Sequence, residues 1–220
     1  METFDRIPVA LEAGEIAARL RFDPARAGFE SLDGLVGFAQ GLIRPRAVSE
    51  AAFIGARGEG TVEVAGVTFT SAVLARNLEP ANKVFPYIVT VGPELERAAS
   101  AQGDLLKQYY LEEMANIALE QAAGWLAAQL GERHGLGALS NMSPGSLEDW
   151  PITEQAKLFS LFGDTERLVG VRLTDSMLMV PRKSVSGILF PSEEGFVACQ
   201  LCDRAGCPGR KAIYTGSDLR

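Results

Sequence analysis

The chain has 220 residues, of which 47% are hydrophobic and 22% charged, so it can form a folded core and is not typical of a disordered protein. Its 28 acidic residues outnumber its 21 basic ones, and the net charge of −7 repels phosphate backbones and anionic lipid head groups, so we expect neither nucleic acid nor membrane as a partner. Glu2 stands where a signal peptide carries positive charge, and no apolar run reaches the roughly 20 residues of a membrane span, so we expect a cytoplasmic protein.

The first half of the chain combines helix and strand patterns. Apolar residues at helical spacing predict a helix over 32–43, and the Arg44-Pro45 step ends it. Turn glycines separate three predicted strands near 51–54, 61–64 and 67–70. Three longer elements follow, namely a buried strand over 83–91, a helix that opens at Pro93, and a long helix over 104–134 with Asp104 as N-cap.

The second half contains shorter elements. After a loop over 135–149, the pattern predicts an amphipathic helix over 153–162. Four short strands should follow, at 170–174, 177–180, 185–190 and 195–198. Helices mixed with turn-separated strands, without a repeated β-α-β order, predict an α+β fold with a largely antiparallel sheet. No repeat or linker divides the sequence, so we expect a single domain over 1–220.

Residues 140–190 contain four ordered motifs. A loop reads Ser140-Asn-Met-Ser-Pro-Gly-Ser, Thr153-Glu154 opens a helix, and a later run reads Gly170-Val-Arg-Leu-Thr-Asp-Ser before a Pro181-Arg-Lys-Ser-Val-Ser-Gly turn. This series resembles the activation domain of cobalamin-dependent methionine synthase. That family has an Arg-Pro-x-Pro-Gly-Tyr-Pro loop, a Thr-Glu helix start, a Gly-Ile-x-Leu-Thr-Glu-Ser run and a Pro-x-x-Ser-Val-Ser-Gly turn.

The resemblance implies a curved domain with a twisted antiparallel sheet flanked by helices. It also implies a function, as a stand-alone accessory factor for reductive reactivation of a cobalamin-dependent methyltransferase, with S-adenosylmethionine as methyl donor. The expected partners are a corrinoid protein and an electron donor, flavodoxin or ferredoxin. Because the chain has no Asp-x-His-x-x-Gly motif, the cobalamin should be carried by the partner.

The resemblance further implies a set of cofactor-binding residues. They are Glu120, Asn141, Met142, Ser143, Pro144, Gly145, Ser146, Asp175, Ser184 and Ser186. The family's arginine and tyrosine contacts fall on Asn141 and Ser146, and asparagine cannot reproduce the two-pronged arginine grip on a carboxylate. The series implies no catalytic residue, and the one histidine excludes most catalytic triads.

Several of these residues have an ordinary structural alternative. Glu120 is equally typical of a solvated helix position, and Thr174 to Ser176, Ser184 and Ser186 are residue types that often bond their own backbone. Arg182 and Lys183 are either solvated bases or receive a corrin carboxamide or a phosphate. We leave these alternatives open at this stage.

A cysteine-rich element over 196–210 departs from the family pattern. Its spacing, Cys199-x2-Cys202-x4-Cys207, is typical of zinc or iron–sulfur ligation, although free thiols are the alternative. The fourth ligand would be His134, Asp203, a water or another chain. Two further hypotheses follow, a metal-dependent electron-relay protein and a non-catalytic module that binds a corrinoid protein.

Overall fold

The strand Lys83–Thr90 is the centre of the fold. The computed structural model describes residues 1–23, 31–192, 195–207 and 210–216. The strands in those residues are β1 (Glu2–Phe4), β2 (Arg46–Ser49), β3 (Ala52–Gly58), β4 (Thr61–Val64), β5 (Val67–Thr70), β6 (Lys83–Thr90), β7 (Leu139–Met142), β8 (Arg172–Leu173), β9 (Met179–Val180) and β10 (Ser184–Pro191). Apart from its first residue, β6 is buried along its whole length, as an apolar strand in the interior of a sheet should be.

Helices lie between and around these strands. Those described are α1 (Ala13–Leu20), α2 (Leu32–Leu42), α3 (Ala72–Asn77), α4 (Glu94–Ser100), α5 (Leu105–Arg133), α6 (Gln155–Ser160) and α7 (Thr165–Val169). The Asp104 side chain caps α5 by accepting hydrogen bonds from the Leu106 and Lys107 amides, as the sequence predicted. None of the described helices combines the length and apolar character that a bilayer crossing requires.

The main sheet is antiparallel. Its strands run in the order β1-β2-β6-β3-β4-β5, while β10 pairs with the other edge of β6 and β7 pairs with β10. Helix α5 packs on one face, where Ala122, Leu126 and Leu130 meet apolar residues of β6 and β10. The opposite face is covered by α6, α7 and Trp150. The mixture of helices with an antiparallel sheet confirms the predicted α+β fold class.

Two sequence predictions about elements were wrong, and a third was right only in part. The range 139–142, predicted as loop, is β7, because pairing with β10 satisfies its backbone despite its lack of β-branched residues. The predicted strand over 195–198 is an isolated bridge at Val197 followed by a 3-10 helix, Ala198–Gln200. The predicted helix over 153–162 is a 3-10 turn, Ile152–Glu154, followed by the short α6.

Candidate ligand site

Strand pairing brings two of the predicted motifs together. In the β7–β10 ladder, Met142 lies opposite Ile188 and Asn141 opposite Leu189. The loop motif that continues from β7 is therefore adjacent to the Ser-Val-Ser-Gly motif that begins β10. Only the family resemblance predicted that the two motifs would be close together. Their proximity is the first requirement for a common site.

Two residues of the sheet form a seat under the start of the loop. Tyr87 of β6 and Gly187 of β10 are direct cross-strand partners. Tyr87 is buried and its hydroxyl donates a hydrogen bond to Oδ1 of Asn141 at 3.0 Å. A Cβ atom at Gly187 would come closest to the backbone carbonyl oxygen of Met142, and it would lie 2.8 Å from the same Oδ1 and 2.8 Å from Oγ of Ser143, so only glycine leaves room for the loop.

The loop after β7 is closed by its own hydrogen bonds. The Gly145 amide donates to the Trp150 carbonyl at 2.7 Å, and the Ser146 amide donates to the Ser143 carbonyl at 3.1 Å. The Ser146 hydroxyl also donates to the Ser143 carbonyl, at 2.6 Å. Gly145 has a φ of 80°, a left-handed conformation that favours glycine. The loop is therefore held in shape without a ligand. The Gly145 and Ser146 amides donate hydrogen bonds within the loop and are not available to a ligand.

The Thr-Glu motif has a structural role. Glu154 is 8% exposed and accepts a hydrogen bond from the Thr70 amide at 2.9 Å. Its other oxygen pairs with Lys157 at 2.7 Å, and Lys157 also donates to the Thr68 carbonyl. These bonds attach α6 to the edge strand β5 and so fix the position at which the loop ends. Pro144 and Met142 are likewise buried beneath the loop.

Glu120 lies on the exposed side of α5 between two basic residues. Arg19 of α1 donates a hydrogen bond to its carboxylate at 2.9 Å, and the Lys211 ammonium lies 3.7 Å from its other oxygen. The hydrogen bond from Arg19 is the main reason that the pKa of Glu120 is lowered, and the positive charge of Lys211 lowers it further. Glu120 is ionised and already paired in this structure, so a cationic ligand would compete with these partners.

The Thr-Asp-Ser motif forms a turn between β8 and β9. The Thr174 hydroxyl accepts a hydrogen bond from the Leu178 amide at 3.0 Å and lies 3.0 Å from the Ser176 hydroxyl. Asp175 is exposed at the tip of this turn. The geometry favours the structural alternative for Thr174 and Ser176, in which the polar side chains satisfy their own turn.

The two serines of the Ser-Val-Ser-Gly motif point into the sheet. Ser184 is 8% exposed, and its hydroxyl donates to the Pro181 carbonyl at 2.7 Å. Ser186 is 2% exposed, and its hydroxyl has no hydrogen-bond partner among the described residues. Neither hydroxyl faces solvent. The geometry therefore does not favour direct contact of Ser184 or Ser186 with a ligand, and their predicted role stays a prediction.

Arg182 and Lys183 are held by acidic side chains. The Arg182 guanidinium donates to Glu96 at 2.6 Å and to Glu112 at 3.0 Å. The Lys183 ammonium lies 2.7 Å from Glu112 and 2.8 Å from Oδ1 of Asn116. Burial raises the pKa of Glu112, but the hydrogen bond and charge of Lys183, with the charge of Arg182, outweigh burial and lower it overall. These bases attach the turn before β10 to α4 and α5 and are not free to receive a phosphate.

The cysteine-rich element is organised by one arginine. The Arg210 guanidinium donates to the carbonyls of Cys199, Cys202 and Arg204. Across the described ranges, which include all three cysteines, no three His, Cys, Asp or Glu side chains are arranged to hold a metal ion. His134, one of the predicted fourth ligands, packs against the Phe85 ring at 4.7 Å between centroids, and Asp203 is exposed.

Two residues of the C-terminal part of the chain contact predicted ligand residues. Val197 forms a parallel bridge with Asn141, and Lys211, just beyond the cysteine-rich element, pairs with Glu120. The sequence analysis missed both these contacts and Tyr87. The signal for Tyr87 was a hydroxyl inside an otherwise apolar buried strand, which requires a hydrogen-bond partner.

Comparisons with known proteins show which family and which solved structure this chain is similar to. Residues 145–198 match the family described as vitamin B12 dependent methionine synthase, activation domain. Among solved structures, the MetH reactivation domain bound to AdoHcy matches with a TM-score of 0.58 and 18% sequence identity, over 90% of this chain and 81% of that chain. No curated protein matches the chain. The family match begins in the loop at Gly145 and includes the whole Ser-Val-Ser-Gly motif.

Proposed function

We propose that this chain, a homologue of the activation domain of vitamin B12-dependent methionine synthase, assists the reductive reactivation of a corrinoid protein. The observation that supports this function best is the β7–β10 pairing, which places the loop beside the Ser-Val-Ser-Gly motif. The family match covers that motif and the loop from Gly145 onward. The structural neighbour contains AdoHcy (S-adenosylhomocysteine), the product that S-adenosylmethionine leaves after it donates a methyl group. We therefore propose S-adenosylmethionine as the ligand here.

The proposed reaction divides the chemistry among three components. A corrinoid protein supplies the cobalt, a flavodoxin or ferredoxin supplies one electron, and S-adenosylmethionine supplies the methyl group and leaves as S-adenosylhomocysteine. This chain would hold the methyl donor and contribute no catalytic side chain of its own. Its charge of −7 is consistent with a ligand that carries a sulfonium and an ammonium.

Glu120 is the side chain best suited to those positive groups. Its carboxylate is ionised, 39% exposed and on the surface of α5. The ligand would replace Lys211 or Arg19 as its partner, which costs little because exposed ion pairs contribute only about 0–1 kcal/mol. Ser146 is a short exposed side chain at the position where the family has tyrosine. The adenosine group of the ligand would therefore make less aromatic contact here than in a protein with that tyrosine.

Isothermal titration calorimetry tests the ligand. The full chain should bind S-adenosylmethionine and S-adenosylhomocysteine, and Glu120→Gln should weaken S-adenosylmethionine binding about fivefold. Glu132→Gln is the matched control, because Glu132 is exposed on the same helix near its end. Equal effects of the two substitutions would contradict the role of Glu120.

A reactivation assay tests the function. A cobalamin-loaded methionine synthase lacking its own activation domain, reduced chemically in the presence of S-adenosylmethionine, should regain the methylcobalamin spectrum faster when the chain is added. Failure to bind this protein and failure to bind either adenosyl ligand would together reject the proposal. Binding to the corrinoid protein without adenosyl-ligand binding would instead support the hypothesis of a non-catalytic interaction module.

A metal or iron–sulfur function at Cys199, Cys202 and Cys207 is the second candidate. In its favour, Arg210 holds the carbonyls of Cys199 and Cys202 in one turn. Against it, the described side chains do not converge as a metal site requires, so we derive no electron-transfer step through a metal. Anaerobic purification with metal analysis decides the question: a brown chromophore supports a cluster, one equivalent of zinc supports a structural site, and metal-free protein rejects both.

A further inference from the structure

The seat formed by Tyr87 and Gly187 determines the direction of the Asn141 side chain. The Tyr87 hydroxyl is in the interior, and its hydrogen bond to Oδ1 of Asn141 is 3.0 Å long. A buried hydroxyl that loses its partners costs about 1–3 kcal/mol, so the bonds of Tyr87 to Asn141 and to the Ser143 side chain favour the orientation in which Oδ1 of Asn141 faces Tyr87. On its other side, Nδ2 of Asn141 lies 3.5 Å from Oγ of Ser143.

The hydrogen bond between Tyr87 and Asn141 helps to position the loop. Ser143 provides the carbonyl that accepts both hydrogen bonds from Ser146, one from the amide and one from the hydroxyl. Ser143 therefore connects the buried Tyr87, both directly and through the exposed Asn141, to the rest of the loop. Any displacement of Asn141 from its seat should be transmitted to Ser143 and Ser146 within a few bonds.

We infer that Tyr87 is a positioning residue for the ligand loop and that Asn141 acts as its intermediary instead of contacting the ligand. This inference rests on the proposed function, because the loop is a ligand loop only if an adenosyl ligand binds there. It replaces the sequence prediction that Asn141 binds the ligand directly. Specificity at this position thus comes from the strand β6, which lies far from the loop in sequence.

One consequence concerns arginine at position 141, the residue type of the resembling family. Arginine has no hydrogen-bond acceptor, so at position 141 it cannot accept the hydrogen bond that the Tyr87 hydroxyl donates to Asn141. Asn141→Arg should therefore weaken adenosyl-ligand binding instead of improving it. A gain in affinity for this variant would overturn the inference.

A double-mutant cycle on the full chain gives the main test. Tyr87→Phe should raise the Kd for S-adenosylhomocysteine about fivefold in calorimetry, while the same substitution in an Asn141→Leu background should have a clearly smaller effect, because only the hydrogen bond between Tyr87 and Ser143 is then left to lose. Tyr109→Phe is the matched control, since Tyr109 is 51% exposed. A Tyr87→Phe effect that is equal in both backgrounds, or equal to that of the control, would overturn the inference.

Amide hydrogen exchange separates this inference from the proposed function. Tyr87→Phe should accelerate exchange at Ser146, whose amide bond to Ser143 depends on the seat, while the amides of α5 keep their protection. A residue that only stabilised the whole protein would change all these amides together. If the wild-type chain binds no adenosyl ligand, the proposed function fails, and the exchange result alone supports or rejects the positioning role.

Discussion

The Lys211 ammonium lies 3.7 Å from the Glu120 carboxylate, so the C-terminal segment is attached to the middle of the longest helix at a predicted ligand residue. Val197 of the same segment forms a bridge with Asn141 of β7, just before the candidate loop. Residues of this segment therefore contact two of the predicted ligand residues. A ligand that pairs with Glu120 has to compete with the Lys211 side chain.

Removing that competitor should improve ligand binding. Lys211→Ala should lower the Kd for S-adenosylmethionine about twofold, since an exposed ion pair contributes only a few tenths of a kcal/mol. Calorimetry at low salt, where exposed pairs are least screened, is the measurement. Arg204→Ala removes an exposed charge of the same segment and is the control. Weaker binding by Lys211→Ala would show that the lysine contacts the ligand and does not exclude it.

Arg19→Ala should raise the pKa of Glu120. The hydrogen bond from Arg19 is the largest cause of the lowered pKa, so its loss returns the carboxyl toward its ordinary range. Because the folded-state pKa is depressed, the pair stabilises the protein above the ordinary pKa, and this contribution is lost as pH falls through the folded value. A carbon-detected NMR titration of Glu120 measures the shift, with Arg6→Ala as an exposed control. An unchanged Glu120 pKa in Arg19→Ala would contradict the assignment.

Gly187→Ala should destabilise the fold and the loop together. The added Cβ would press on the backbone carbonyl oxygen of Met142 and would lie 2.8 Å from Oδ1 of Asn141 and from Oγ of Ser143, and overpacking of this kind costs about 1–3 kcal/mol. Gly124→Ala is the matched control: no atom lies within 4 Å of its Cβ position, and alanine is up to about 1 kcal/mol better than glycine inside a helix. Urea unfolding should show opposite signs for the two variants, and a neutral Gly187→Ala would argue against the seat.

The sequence predicted the fold class and the main elements because their patterns are local. The apolar run over 83–91 and the alternation over 185–190 both correspond to observed strands, β6 and β10. Their partners and register were not predictable from composition, because pairing depends on contacts between residues far apart in the chain. The opposition of Tyr87 and Gly187 is of that kind.

The site was predicted less well than the fold. The loop and the Ser-Val-Ser-Gly motif were correctly brought together by resemblance, but resemblance does not show which side chains point inward. Ser184 and Ser186 are buried, and Arg182 is paired with Glu96 and Glu112, since the turn before β10 packs against α4 and α5. These side-chain orientations depend on tertiary packing, so a local sequence pattern cannot predict them.

Tyr87 should make the stability of the protein sensitive to alkaline pH. Burial raises its pKa to about 12 from an ordinary value of 10.0. The phenol of the unfolded chain then ionises first, so a stabilisation of about 3 kcal/mol that is present below pH 10 is lost progressively as pH rises toward 12. Tyr87→Phe lacks this group, so the difference in free energy of unfolding between wild type and variant should be constant below pH 10 and shrink above it. Urea titrations across that range measure the difference, and Tyr109→Phe, which removes an exposed phenol, provides the comparison. A difference that stays constant through the alkaline range would mean that Tyr87 ionises equally well in the folded protein and is not held in the buried seat.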